Sequence, residues 1–308
     1  GRREDAQAEY LAIAETYPSD EVAPIALYRA AFACLQAKEY QRATELAGQF
    51  LANCTDHRLT PDVQYIVAEC KVQAKAYEEA EAIYRQIIAS APGHPELSLW
   101  QVRLALILYL QKEYQQAVEL LTPQIEQLTP PTLKAEALYV MGISKLQQGE
   151  SAAAADSLRQ ALQVDASWAQ ADETLLYLAR AERQLGNLDE AVSTLKKLMT
   201  DYPVSAVLDQ ANYLIGECHY SQGQFPRAIA AYDHVLAKGA ASSVTPLALY
   251  GKGWSHMKSA QFSQANEALG QLIDRYPDHQ LHDDALFARG MTLRQMKQYD
   301  KAITDIDA

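Results

Sequence analysis

An alanine recurs every 37 residues along this chain, at Ala43, Ala80, Ala117, Ala154, Ala191, Ala228, Ala265 and Ala302. Twelve residues before each stands a second small residue: Ala31, Ala68, Ala105, Gly142, Ala179, Gly216, Gly253 and Gly290. A fixed period means that one supersecondary unit stacks on copies of itself, so the length of 308 residues counts repeats rather than domains. Two small positions held in register eight times predict two helices per copy that cross closely, because larger side chains there would force the backbones apart. Polar breaks such as Gln148-Gly149-Glu150, Leu185-Gly186-Asn187 and Gln222-Gly223-Gln224 predict the tight turn between the two helices. Pro92, Pro203 and Pro277 predict the end of the second.

Counted from Pro24, the complete units are 24–60, 61–97, 98–134, 135–171, 172–208, 209–245 and 246–282. Ala6 lies one period before Ala43, and Pro18 lies two before Pro92, so 1–23 reads as the second half of a repeat, while 283–308 reads as a truncated one. The expected architecture is all-α, one continuous solenoid of antiparallel helix pairs over 1–308, belonging to a larger protein. Its truncated repeats would expose apolar surface and favour end-to-end stacking.

Composition removes several function classes. With 27 basic and 39 acidic side chains the net charge is -12 and no basic run occurs, which argues against a nucleic-acid surface or a polybasic membrane patch. No apolar stretch is long enough to enter a membrane. Four cysteines, Cys34, Cys54, Cys70 and Cys218, lack the spacing of a thiolate metal site. No phosphate-binding loop, dinucleotide fingerprint, nucleophile elbow or paired-histidine zinc motif is present. His219 and His256 share one repeat position, and His279 and His282 lie near Asp278, Asp283 and Asp284, but packed or scattered histidines account for both groups better than a metal does. No enzyme activity, cofactor or metal is expected.

The small first-helix residue, glycine turn, following aromatic and second-helix alanine resemble the tetratricopeptide repeat. The likeness is clearest in Ala137-Leu138-Tyr139-Val140-Met141-Gly142 with Gly149 and Ala154, and in Gly216, Gly223, Phe225 and Ala228. It covers essentially the whole chain and implies a right-handed superhelical α-α solenoid whose first helices line a concave groove. Asp201-Tyr202-Pro203, and Arg275-Tyr276-Pro277 with Asp283-Asp284-Ala285, resemble a variant common in bacterial cell-envelope proteins of the outer-membrane assembly and Tol-Pal type. That likeness implies a bacterial periplasmic or envelope setting.

The 18 tyrosines, against 5 phenylalanines and 3 tryptophans, fall unevenly on this register. Three positions of the first helix share one face, which the resemblance turns toward the groove. The first carries Tyr28, Tyr65, Tyr139, Tyr213, Tyr250 and Phe287. The second carries Phe32, Glu69, Arg180, Glu217, Trp254 and Met291, and the third Tyr109, Arg183, Tyr220, Met257 and Arg294. These residues are the candidate partner-binding groove, since Tyr and Trp offer large contact area at little rotamer cost. Any single ring can instead serve packing against the next unit. Arg180 with Arg183 could grip a carboxylate or phosphate, or pair internally with Glu173 or Glu217. The Lys/Asn clamp with which some family members hold a chaperone tail is missing from these positions. The expected function is an adaptor or scaffold holding a protein or peptide segment in the groove; the alternative is a spacer or assembly rod.

Overall fold

The computed structural model describes residues 20–54, 56–237 and 242–307, with residues 9, 10, 12, 13 and 16 before them. The register of Ala6 and Pro18 lies outside the described residues. Contacts group the chain into two compact units, residues 1–148 and 149–308.

In the first unit the helices are α1 (Val22–Gln36), α2 (Tyr40–Asn53), α3 (Thr60–Gln73), α4 (Tyr77–Ser90), α5 (Leu97–Leu110), α6 (Tyr114–Leu121) and α7 (Pro131–Gln147). In the second they are α8 (Ser151–Val164), α9 (Ala171–Gln184), α10 (Leu188–Asp201), α11 (Leu208–Ser221), α12 (Phe225–Leu236), α13 (Thr245–Lys258), α14 (Phe262–Arg275), α15 (His282–Gln295) and α16 (Tyr299–Ile306). Successive helices within each unit pack on one another, and first helices of adjacent copies also touch, as in α1 with α3, α5 with α7, and α11 with α13. A first helix is therefore covered on several sides, and α7 buries eleven of its residues. A second helix is amphipathic instead. In α10, Ala191, Val192, Leu195 and Leu198 are buried while Lys196 and Lys197 are exposed.

The small positions do what their size predicts. Ala31, Ala68, Ala105 and Ala179 are 0% exposed, as are the second-helix alanines from Ala43 to Ala265. A Cβ built on Gly253 would lie 2.7 Å from Leu269 Cγ, and one on Gly290 2.7 Å from Ile306 Cγ1. The partner of the small residue is thus the side chain sixteen positions later. There Tyr84, Leu121, Leu195, Tyr232 and Leu269 are fully buried, each contributing roughly 2 kcal/mol of apolar transfer, whereas Ile306 stays half exposed. One copy departs from the pattern. Pro123 falls where other second helices are mid-course, so α6 stops at Leu121 after 8 residues, and a short 3-10 turn, Ile125–Gln127, leads into an α7 of 17.

The turn between helices has one geometry. Its central residue takes a left-handed backbone at Gly149, Gly186 and Gly223 (φ 71–81°), and also at Lys38, Lys75, Lys112, Ala260 and Lys297 (φ 57–69°). Two backbone bonds close it: Lys38 N–H donates to the Leu35 carbonyl and Glu39 N–H to that of Cys34, a pairing repeated from Gly186 to Arg183 and from Asn187 to Glu182. The backbone bonds satisfy the helix end whatever the side chain, which is why the turn survives without glycine. The strain remains, however. Ala260→Gly should raise stability by about 1 kcal/mol, and Gly223→Ala should lower it by a similar amount, in chemical denaturation.

Candidate functional site

Two clusters on first-helix faces share one plan. In the first unit, Tyr65 and Glu69 of α3 meet Tyr84 of α4, whose hydroxyl donates to the Glu69 carboxylate. The Tyr65 and Tyr84 rings meet edge-on with centroids 6.2 Å apart. Arg103 of α5 enters the same cluster: Nη1 donates to Glu136 of α7, and Nε lies 4.0 Å from Glu69. Burial, then the Glu69 charge, pushes Tyr65 to about 12, against the opposing pull of Arg103. Glu69 is therefore a supported member of a half-buried charge network, with Arg103 and Glu136 as partners that lie outside the three tracked sequence positions.

In the second unit, Tyr213 and Glu217 of α11 and Tyr232 of α12 repeat the arrangement, and the Tyr232 hydroxyl donates to Glu217 at 2.7 Å. Burial and then the Glu217 charge hold Tyr213 and Tyr232 far above the ordinary phenol value, and Tyr232 is the neutral donor to Glu217. Beside this triad α11 and α13 leave a cavity of about 480 Å³. Tyr213, Glu217, Tyr220, Tyr250, Gly251 and Trp254 are among its walls, with Leu247, Lys258 and Leu281. Tyr250 and Trp254 meet at 72° with centroids 6.2 Å apart, and Tyr220 packs on Phe225 at 5.6 Å. Tyr213, Tyr220, Phe225, Tyr250 and Trp254 are half-buried, whereas Tyr232 is sealed.

The other candidates are dispersed. Tyr28 stacks on Phe32 along α1 with centroids 6.1 Å apart, and Arg29 lies over Tyr28. Tyr109 packs on Tyr114 at 5.6 Å, and Tyr139 is buried. Arg180 lies 5.0 Å from the Tyr177 ring centroid and donates to Gln210 at 2.8 Å. The charge of Arg183 acts on Tyr213 and Cys218, and its Nε is buried without a hydrogen-bond partner. Met257 packs on the core of Leu249 and Leu269. Phe287 and Arg294 are exposed and Met291 half-buried on α15. His219 and His256 sit against the turn glutamines Gln222 and Gln261, at 3.3 and 2.7 Å. Among the described residues no three His, Cys, Asp or Glu side chains gather as a metal site would need.

Helix pairs in a constant register, closed by one turn geometry, accord with sequence matches along the chain. Tetratricopeptide repeat models match residues 139–206, 209–243, 247–279 and 283–308, and a tetratricopeptide repeat-like domain model matches 14–137. The chain belongs to the tetratricopeptide-repeat family. Its helix pairs are tetratricopeptide repeats lengthened to a 37-residue period, and such arrays serve as protein-protein interaction scaffolds. A tetratricopeptide repeat protein from Parabacteroides merdae ATCC 43184 is similar in structure, with a TM-score of 0.60 and 14% identity over 86% of this chain and 98% of that one. The apo form of RapI gives 0.71 at 10% identity over 90% and 85%. PilW, a type IV pilus biogenesis factor, gives 0.57 at 20% over 69% and 91%. At these identities the likeness is one of fold. A search of curated proteins found no match. Among the described residues no helix is long and apolar enough to cross a membrane.

Proposed function

We propose that this chain is a non-enzymatic adaptor that captures a segment of a partner protein against its first helices, with the cavity between α11 and α13 as the anchoring pocket. The observation that carries this reading is the cavity itself. Its volume, about 480 Å³, suits one or two side chains, and its walls set aromatic rings around a few fixed polar groups. Rings of this kind supply most of the energy when a partner docks. The exposed Ile303 and Ile306 of α16 support end-to-end packing of repeats as a second contact. An envelope setting draws support from the Asp201-Tyr202-Pro203 pattern and from the fold shared with PilW.

Replacing Tyr213, Tyr250 and Trp254 together by alanine should weaken capture of a partner recovered from the source organism by roughly a hundredfold. Helicity by circular dichroism should be retained, because all three rings are half-buried. If the triple variant captures the same partner with undiminished affinity, the pocket is not the anchor and the partner docks elsewhere on the array.

A further inference from the structure

Tyr65, Glu69 and Tyr84 stand four repeats before Tyr213, Glu217 and Tyr232, so the two clusters are the same positions of the repeat. In both, a buried tyrosine of the second helix donates its hydroxyl to the glutamate. They differ in what the next first helix brings. In the first unit it brings Arg103, which pairs with Glu136, lies 4.0 Å from Glu69, and whose charge acts on Tyr65. At the same position the second unit has Gly251. A Cβ there would lie 2.6 Å from Tyr232 Cζ, so the helix passes close to the ring, and glycine itself brings no cation to Glu217. The cavity opens there, with Gly251 and Glu217 both in its wall.

The surrounding positions change in the same sense. The equivalent positions of the first unit, Val72, Val102 and Leu106, become Tyr220, Tyr250 and Trp254 around the cavity. Aliphatic packing is replaced by rings whose faces attract a cation, and an arginine plane stacks on them as well. Glu217 makes no ion pair among the described residues. Arg183, whose charge reaches Tyr213, is not part of the wall, and Lys258, the base that is, stands exposed. The Glu136 position carries Asp284, also exposed.

Resting on the adaptor reading above, we infer that the cavity between α11 and α13 receives an arginine side chain of the partner segment, its guanidinium occupying beside Glu217 the place that Arg103 fills beside Glu69. Tyr220, Tyr250 and Trp254 enclose the stem and the guanidinium plane, and the volume leaves room for one apolar neighbour.

The test is selection of a displayed library of random short peptides on the full chain, on Glu217→Gln and on Trp254→Ala. Glutamine keeps an acceptor for Tyr232, and unchanged thermal midpoints verify that the variants are folded. The expected result is enrichment of arginine at one position amid apolar residues on the unmodified chain, lost on Glu217→Gln. Exchanging that arginine for citrulline in a selected peptide should weaken binding roughly tenfold or more to the unmodified chain and little to Glu217→Gln, because a charge-assisted pair is replaced by a neutral one. Peptides that depend on Trp254 but carry no arginine preference, or prefer lysine, overturn the arginine assignment and leave the pocket as an anchor. Peptides indifferent to both Glu217 and Trp254, or no peptides, overturn both. Should Glu217→Gln fail to fold, the citrulline exchange on the unmodified chain decides alone.

Discussion

Arg103→Met should lower stability by about 3 kcal/mol at neutral pH, because it strands the carboxylates of Glu69 and Glu136 in a half-buried site. The loss should shrink as the pH falls. Burial raises the Glu136 carboxyl above its ordinary 4.5, and Arg103 pulls it back down, so removing Arg103 raises it further. The folded state then binds more protons than the unfolded one between 4.5 and that raised value, and stability falls as pH rises through the window. Below it the carboxyl is neutral in both states and the penalty is absent. Urea unfolding of both proteins across this range measures the difference; a loss independent of pH would mean that Arg103 acts only by packing.

Gly216→Val should be comparably damaging, about 3 kcal/mol, since even a Cβ at this position would enter the ring of Tyr232. The ring has no room to retreat. It is 0% exposed, and Gly251 of the next first helix also lies close against it. Gly48→Ala, in α2, is the counterpart. There an added Cβ meets nothing within 4 Å, so the gain in helix propensity should appear undiminished, about 0.5–1 kcal/mol of added stability. Thermal unfolding of the two variants reads both signs, and a Gly216→Val protein as stable as its parent would refute the close crossing of α11, α12 and α13.

The period, the helix pairs and their small contact positions were legible in the sequence because they follow from volume, and volume is a property of single residues. Ala43 and Gly253 reveal their packing without any knowledge of the partner. The turn was only half legible. Gly149, Gly186 and Gly223 announce a left-handed residue, but Lys38, Lys75, Lys112 and Lys297 adopt the same backbone with no such signal, and only the register could have located them. The site was legible as a face and not as a contact map. Tyr213, Glu217, Tyr220, Tyr250 and Trp254 share a cavity, as one face of neighbouring first helices implies. Tyr139, at the same register as Tyr213, is buried, because exposure depends on what adjacent helices cover. Arg103 escaped because it lies one residue off the tracked stripe, and its role depends on Glu136 in the next copy. Four repeats apart, Arg103 and Gly251 occupy one position of the repeat, a contrast carried by the sequence itself.

The left-handed lysines carry a further consequence. Each of Lys38, Lys75, Lys112 and Lys297 stands just beyond the C-terminus of a first helix, where the peptide dipoles leave about half a negative charge. A cation there is worth about 0.3–1 kcal/mol, which offsets part of the roughly 1–2 kcal/mol the backbone loses by lacking glycine. The two terms respond differently to ionic strength: salt screens the attraction and leaves the torsional strain untouched. Added salt therefore loosens the lysine turns, which include all three turns within the first unit, more than the glycine turns at Gly186 and Gly223 in the second, so the ionic medium sets how firmly the lysine-turned hairpins are closed.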